Sequence, residues 1–339
     1  MVKPRFELDP LGEKEAFRSR LGVWFERDGQ SHPWRDTTDP WAILVSEIML
    51  QQTTVAAVRA GKRFERFLAQ FPTIQVIAEA PEEDLLKAWE GLGYYNRVRN
   101  LQKTAIAVLA TWGGQFPRRA DDLQSLPGVG PYTAGAIASF AFDVPAPIVD
   151  GNVARVFARL FDDESEVDST EGRKQLWQWA HQLLDHEKPR VYNSALMEAG
   201  QVFCRPRNPD CLSCPIASFC RTSHPEDLPR KKAKRKVEAV NEHALVAVRQ
   251  GKILLAQEEG SRRKGFYRLP LRSKEEVADL ELLGTSKYAI TRYSVTLALY
   301  RASFLPLESG KDGEDWYPLS ELNDLPMPSP VRRALESVL

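Results

Sequence analysis

Cysteine is scarce in this chain, and long apolar runs are absent. The 339 residues include four cysteines, and no stretch approaches the ~18 consecutive apolar side chains that a membrane span requires. The opening MVKPRFELDP lacks the apolar core of a secretory leader. The expectation is therefore a cytoplasmic protein, nucleoid-associated if bacterial, monomeric and without a membrane partner. Neither sign of charge is in excess, since 46 basic residues meet 46 acidic ones. Zero net charge excludes a general pull towards nucleic acid, so any cationic surface has to be local. No internal repeat is found. What remains, 43% hydrophobic and 27% charged residues, is an ordinary globular composition with room for two or three domains.

The few cysteines are concentrated. Cys204, Cys211, Cys214 and Cys220 follow the pattern C-x6-C-x2-C-x5-C. Two disulfides are one reading, but nothing suggests export, and a cytosolic cysteine cluster more often binds metal. Four thiolates suit either zinc or a [4Fe–4S] cluster, and the spacing alone leaves both open.

Up to about residue 222 the apolar residues recur at helical spacing, as in EAFRSRLGVWFERD and RNLQKTAIAVLATWG. Asp39-Pro40 supplies an N-cap and a first-turn proline for a helix through PWAILVSEIML. Six of the seven residues 230–236 are basic, which reads as a solvated linker, contact with phosphate being the alternative. Beyond it HALVAVRQGKILLAQ reads as two strands joined by a turn at Gln250-Gly251. YAITRYSVTLALYRASFL is again strand-like, and the C-terminus ends in a short helix. The expected organisation is an all-α domain over 1–222, a basic linker over 223–237, and an α+β domain over 238–339.

Three stretches carry chemistry. In LQSLPGVGPYTAGAIASFAF, Gly128, Val129 and Gly130 make a tight hairpin between helical segments. Glycines there let backbone N–H groups approach a phosphate, and the following helix offers its positive end. A simple glycine turn is the alternative. In PIVDGNV, Asp150 sits where an N-cap would, yet in an apolar setting. In VSEIMLQQTT, Glu47 lies among Val45, Ile48, Met49 and Leu50. Burying an unpaired carboxylate costs several kcal/mol, roughly, so it is either satisfied structurally or put to use.

Taken in order, HPWR, SEIMLQQT, GLGYYNRVRNL, LPGVGPYTAGAI, PIVDGNV and the cysteine spacing resemble the helix-hairpin-helix DNA glycosylases of the endonuclease III superfamily. Within it they are most similar to the adenine DNA glycosylases. The resemblance covers roughly residues 15–222. It implies an all-α helix-hairpin-helix domain, a [4Fe–4S] cluster on the four cysteines over 204–220, and double-stranded DNA with a mismatch or oxidised base as partner. It implies that Glu47 protonates N7 of a flipped adenine, while Asp150 stabilises the sugar cation and Tyr132 and Asn152 orient the pair. Strand-cleaving members carry a lysine where this chain has Tyr132, and a phenol cannot form a Schiff base, so base excision without strand cleavage is implied. Gln52 resembles the wedge that fills the space of the extruded base, with Thr53 beside the opposing base. Tyr94, with Leu92, resembles a second wedge, and one of Tyr94 and Tyr95 is expected in the core. Trp34 and Arg35 are implied as pocket wall.

The C-terminal segment resembles, more weakly, the Nudix-like lesion-reading module of the same enzymes, without the acidic box that holds magnesium in Nudix hydrolases. Its Phe-Ser-His loop corresponds to Ile290, Thr291, Arg292 and Tyr293, so the histidine is lost. Two pocket positions also depart from the family: Gln30 stands where a basic residue is usual, and Ser194 where Gln or Glu is usual. The implied activity is excision of adenine opposite 8-oxoguanine or guanine. A thymine or uracil mismatch glycosylase, and a non-catalytic iron–sulfur DNA-binding protein, are the alternatives.

Overall fold

The computed structural model describes residues 9–233, 236–260, 264–290, 292–302 and 313–339. Thr291 lies outside the described residues. By backbone proximity the chain divides into two compact units, Met1–Ala78 with Asn100–Ala233, and Glu79–Arg99 with Lys234–Leu339. This division differs from a cut near residue 222. Residues 223–233 stay with the first unit, and Glu79–Arg99 groups with the second.

The helices are α1 (Lys14–Asp28), α2 (Pro40–Leu50), α3 (Val55–Arg59), α4 (Arg63–Gln70), α5 (Ile74–Glu79), α6 (Glu82–Ala88), α7 (Asn96–Trp112), α8 (Ala120–Gln124), α9 (Pro131–Phe142), α10 (Gly151–Leu160), α11 (Thr170–Leu183), α12 (Pro189–Val202) and α13 (Ser329–Glu336). Asp39 caps α2 by accepting the Trp41 amide at 3.0 Å, with Pro40 in the first turn, as its sequence dictates. α2 is apolar on all sides, and every residue over 41–49 is buried, which is how such a helix avoids exposing hydrocarbon. α10 is instead two-faced. Val153, Val156, Phe157 and Leu160 join Phe17 and Leu21 of α1, Leu176 and Leu183 of α11, and Leu196 of α12 in one core.

The turn between α8 and α9 is held from α7. Gly128 has φ +78°, and a Cβ there would lie 2.7 Å from Cβ of Asn100, so both backbone angle and space demand glycine. The Thr104 hydroxyl donates to the Pro127 carbonyl at 2.6 Å. Past α12, residues 223–233 run back over the first unit. The Val167 amide donates to the Arg230 carbonyl at 3.0 Å, the Lys232 amide to Asp168 at 3.0 Å, and Arg230 pairs with Glu164 at 3.1 Å. Part of the basic run is thus docked rather than free.

The second unit holds strands β1 (Glu238–Val246), β2 (Val248–Arg249), β3 (Lys252–Gln257), β4 (Tyr267–Arg268), β5 (Leu271–Arg272), β6 (Leu282–Ile290), β7 (Tyr293–Arg301) and β8 (Glu314–Pro318). One sheet runs β5-β1-β7-β6, with β1 and β7 parallel and the other pairs antiparallel. In the other, β3 pairs antiparallel with β2, β4 and β8. The HALVAVRQ strand passes from the first sheet to the second at Ala247, and the expected turn at Gln250-Gly251 has φ of +50° and +74°, the left-handed pair a tight hairpin needs. Val331, Ala334 and Leu335 of α13 share a core with Leu297 and Leu299 of β7.

Glu79–Arg99 belongs here because its side chains find their partners here. Tyr95 packs on Phe266 with ring centroids 4.0 Å apart. Arg332 grips Glu90 through two hydrogen bonds of 2.5 and 3.2 Å. Tyr95 is therefore the core tyrosine, and Tyr94 is 52% exposed. Leu92, expected beside Tyr94 as a wedge, is buried, and its carbonyl accepts from Arg97 at 2.7 Å. The Arg97 guanidinium also stacks on the rings of Trp89 and Tyr94.

The two sheets are tied by a buried ion pair. Arg272 of β5 and Glu314 of β8, each 7% exposed, meet in a bidentate pair at 2.6 and 2.8 Å. Losing one partner strands a buried charge. Glu314→Ala is expected to destabilise the second unit by roughly 3–5 kcal/mol, whereas the double change Arg272→Met, Glu314→Leu recovers most of that loss. Denaturant unfolding of the two variants checks both statements.

Candidate active site

Three helix termini or interiors converge in the first unit. Glu47 comes from the middle of α2, Tyr132 from the first turn of α9, and Asp150 caps α10. Glu47 is 4% exposed, and the Tyr132 hydroxyl donates to its Oε2 at 2.5 Å. Asp150 accepts the amides of Asn152 at 2.9 Å and Val153 at 2.7 Å on Oδ1, and the Asn152 side-chain amide at 2.9 Å on Oδ2. The cap and the apolar setting are thus both real: Asp150 is an N-cap that also faces a cleft it shares with Glu47, Tyr132 and Asn152.

The two carboxyls differ in environment. Burial pushes Glu47 up from the usual carboxylate range to about 7; the Tyr132 hydrogen bond opposes this, and the nearby Asp150 reinforces it. Burial also raises Asp150, but three N–H groups and the Arg155 charge act against it. We assign the negative charge of the pair to Asp150, since it has the donors that favour the ionised form. Burial and both carboxylates push the Tyr132 phenol well above its ordinary value, so it stays a hydrogen-bond donor.

Glu47 stands where the cleft opens into a pocket. Trp34, Arg35 and Ser194 line that pocket with Glu47. Gln30 does not: its backbone amide is bound to Glu198 at 2.7 Å and its carbonyl accepts from Arg35. Arg35 also forms an ion pair with the buried Glu198, so its charge is neutralised within the fold. His32 and Met197 line the pocket as well, and neither was expected from the sequence. For His32 the signal was its place beside Pro33-Trp34; for Met197 there was none, because α12 reaches the site only by tertiary packing.

α10 continues the network away from the cleft. Arg155 donates to the Asn152 side chain at 2.8 Å, the Gly200 carbonyl at 2.7 Å and the Cys204 carbonyl at 2.6 Å. One turn on, Arg159 reaches Sγ of Cys204 at 3.3 Å and the Arg205 carbonyl at 2.8 Å. None of the four cysteines is paired in a disulfide, and all four line one cavity with Arg159. Arg159 is 1% exposed, and among the described residues its Nη2 has no partner. A buried cation with an uncommitted N–H beside four sulfurs fits an anionic metal–thiolate group. Among the described residues, no group of three or more His, Cys, Asp or Glu stands in position to hold a metal ion.

The remaining residues singled out from the sequence lie on turns. Gln52 is exposed at φ +54° between α2 and α3, with Thr53 next to it. Tyr94 has φ +48°. Left-handed backbone at exposed non-glycine residues is uncommon and marks positions fixed by their surroundings. In the hairpin, a Cβ on Gly130 would meet nothing within 4 Å. Val129 is buried and its amide closes the turn on the Leu126 carbonyl at 3.2 Å, so it serves the fold. Arg292 and Tyr293 sit at the β6–β7 turn, where Arg292 stacks on the Tyr293 ring and pairs with Glu238 at 3.3 Å.

A helix–hairpin–helix, with a buried acid and a capping aspartate facing one cleft, is the arrangement of a base-excision glycosylase fold, and comparison with known proteins agrees. Residues 45–182 match the family described as HhH-GPD superfamily base excision DNA repair protein. The solved structure of a thermostable thymine-DNA glycosylase superposes with a TM-score of 0.56 at 31% identity, covering 62% of this chain and 97% of that one. The chain belongs to the HhH-GPD superfamily of base excision DNA repair proteins. Among its relatives, the adenine DNA glycosylase of Mus musculus is 42% identical over 229 residues, 65% of this chain and 44% of the mouse protein. That of Buchnera aphidicola (subsp. Schizaphis graminum) is 28% identical over 343 residues, 95% of this chain and 98% of the relative. The chain spans less than half the length of the mammalian and plant relatives it matches.

Two outcomes are expected. A carboxyl raised from 4.5 to about 7 on folding stabilises fully below its unfolded value, and that contribution is lost as pH rises through about 7. Glu47→Gln should therefore be more stable than the parent at alkaline pH by up to about 3 kcal/mol, the difference vanishing below about pH 4.5; denaturant unfolding across that range measures it. Gly200 faces Asn152, whose Cβ would lie 2.8 Å from an added methyl. Gly200→Ala should leave the helices intact by circular dichroism but displace Asn152, lowering single-turnover activity by roughly tenfold or more.

Proposed function

We propose that this protein is a monofunctional DNA glycosylase that excises adenine mispaired with 8-oxoguanine or guanine, acting on double-stranded DNA. The observation that carries this reading is Glu47, a buried carboxyl raised to about 7, placed where the pocket meets the Asp150 cleft. A base inside a duplex is out of reach, so it must be extruded into such a pocket. Glu47 gives its proton to N7 of the base, its Oε2 being held by Tyr132. The C1′–N9 bond then breaks with its electron pair going to the base, and Asp150, ionised under its three N–H donors, stabilises the cationic sugar. Water adds at C1′ and releases a proton, leaving an abasic site. With Tyr132 in place of an amine nucleophile no Schiff base forms, so the strand stays intact until alkali cleaves it.

We take Gln52 and Thr53 of the first unit as residues that occupy the duplex beside the extruded base, and Gly128 and Gly130 as a phosphate grip; Tyr94 of the second unit is taken separately as a duplex contact. Cys204, Cys211, Cys214 and Cys220 would hold a [4Fe–4S] cluster, balanced by Arg159. Bound there, the cluster would supply iron–thiolate bonds that tie the loop to Cys204 just past the end of α12, beside Arg159 of α10. Burial, reinforced by the three neighbouring cysteines, raises the Cys214 thiol to about 11, a cost that metal ligation reverses. The second unit, read as a Nudix-like module, would contact the opposing 8-oxoguanine through Arg292, Tyr293 and Thr291, the last outside the described residues.

Single-turnover assays on A:8-oxoG, A:G, T:G and U:G duplexes test this. Adenine release, with strand breaks only after alkali, is the expected result, and Glu47→Gln should abolish release while retaining lesion binding. The rate should fall as pH rises through about 7, as Glu47 loses its proton. Release of thymine or uracil in place of adenine would move the protein to the mismatch pyrimidine glycosylases, and binding without release would make it a non-catalytic DNA-binding protein.

A further inference from the structure

The base pocket contains a polar group that neither the fold nor the reaction above employs. His32 is 2% exposed. Its ring stacks on Trp34, with centroids 5.0 Å apart and planes at 24°, and Trp34 is held edge-on against Phe64 at 5.7 Å. Its carbonyl closes a turn by accepting the Arg35 amide at 2.8 Å. Backbone and ring are therefore both fixed, yet among the described residues Nδ1 has no hydrogen-bond partner. Buried polar atoms are rarely left so, and an exception on a residue that lines a ligand pocket points to the ligand.

Ser194 and Gln201 also line the pocket, and the other polar side chains around His32 are committed. Arg35 is bound to Glu198 and the Gln30 carbonyl. Arg190 donates to the carbonyls of Arg35 and Thr37 at 2.7 and 2.8 Å. The Ser46 hydroxyl donates to the Ile43 carbonyl at 2.8 Å, and Glu47 is reserved for proton transfer. Burial, with the Arg35 and Arg59 charges, holds the imidazole below its ordinary value and hence neutral at pH 7. A neutral imidazole has one acceptor nitrogen and one N–H. In the tautomer protonated at Nε2, Nδ1 is the acceptor.

One edge of adenine offers N7 as acceptor beside the N6 amine as donor, whereas guanine offers two acceptors, N7 and O6. A protonated Glu47 and an accepting His32 complement the adenine edge, and they set acceptor against acceptor for guanine. We propose that His32 is the specificity-determining residue of this pocket, its Nδ1 accepting a hydrogen bond from the N6 amine of the flipped adenine while Glu47 protonates N7. The proposal rests on the adenine reading of the site. It also gives the pocket a base-reading group although Gln30 and Ser194 replace the polar residues usual at their positions.

The test is a substrate-by-residue cycle in single turnover. Duplexes carry either adenine or purine, which lacks the amine, opposite 8-oxoguanine; the proteins are the full chain, His32→Leu and His32→Asn. His32→Leu should lower the adenine rate by about tenfold relative to its effect on purine, the worth of one hydrogen bond. His32→Asn, whose side-chain carbonyl can replace the Nδ1 acceptor, should keep most of the adenine preference. Equal slowing of both substrates, or of neither, would overturn the proposal, as only a packing role moves both together. Should His32→Leu fail to fold, His32→Phe, which keeps the stack on Trp34 without an acceptor, decides: a collapsed adenine-to-purine ratio supports the proposal and a retained one overturns it. If the unaltered protein releases no adenine from any duplex, it is the reading of the site that has failed, and the proposal falls with it. That outcome is distinguishable from an active enzyme whose ratio does not depend on residue 32.

Discussion

The hydrogen bond from Tyr132 to Glu47 is the contact on which the rest of the site depends. It joins a helix buried on every side to the first turn of the helix that follows the hairpin. Because α2 is buried along nearly its whole length, Glu47 meets little water even at the edge of the cleft, and its proton is held by environment rather than by a specific acid partner. Because Tyr132 lies two residues after Gly130, the hairpin and the acid are set in one register by a single turn of α9. In the proposed reaction, a DNA backbone held at that hairpin would lie at a set distance from the carboxyl assigned as proton donor.

α10 performs the complementary task for the negative charge. Its first turn supplies the amides that favour ionised Asp150, and its next two turns carry Arg155 and Arg159 towards the cysteine loop. The helix thus sorts charge along its length, with a carboxylate at the amide-rich end and guanidinium groups deeper in. The helix dipole runs in the sense that favours this order at its start. Gly200 on α12 permits the close approach that brings Asn152 into line.

Local features were legible from residues alone. The cap at Asp39, the cap at Asp150 and the hairpin at Gln250-Gly251 each depend on a few adjacent side chains and backbone angles, and each forms where its sequence says it should. Glu47 was conspicuous because a charge interrupts an otherwise apolar helix. What escaped depends on distant parts of the chain. Gln30 was read as pocket wall from its offset to Trp34, but its amide is claimed by Glu198, about 170 residues away in the chain, and His32 takes the place at the wall. Leu92 was read with Tyr94, yet Arg97 draws its carbonyl inward. That Glu79–Arg99 sits with the C-terminal strands follows from Arg332 and Phe266, which no local pattern relates to GLGYY. The likeness of the fold to base-excision glycosylases was carried by six short motifs, each of which marks a helix end or a turn, where physical demands on residue type are strictest.

Asp150 has a bearing on how such a protein can change over generations. The carboxylate that would face the sugar is the same one that starts α10, so the lineage cannot discard it for an aliphatic residue without loosening the helix that also supports the cysteine loop. Asparagine or serine could keep the helix while abandoning the charge. A descendant that has given up catalysis but still binds DNA would therefore be recognised by one of those two residues at position 150, with its helices and cysteine loop otherwise preserved.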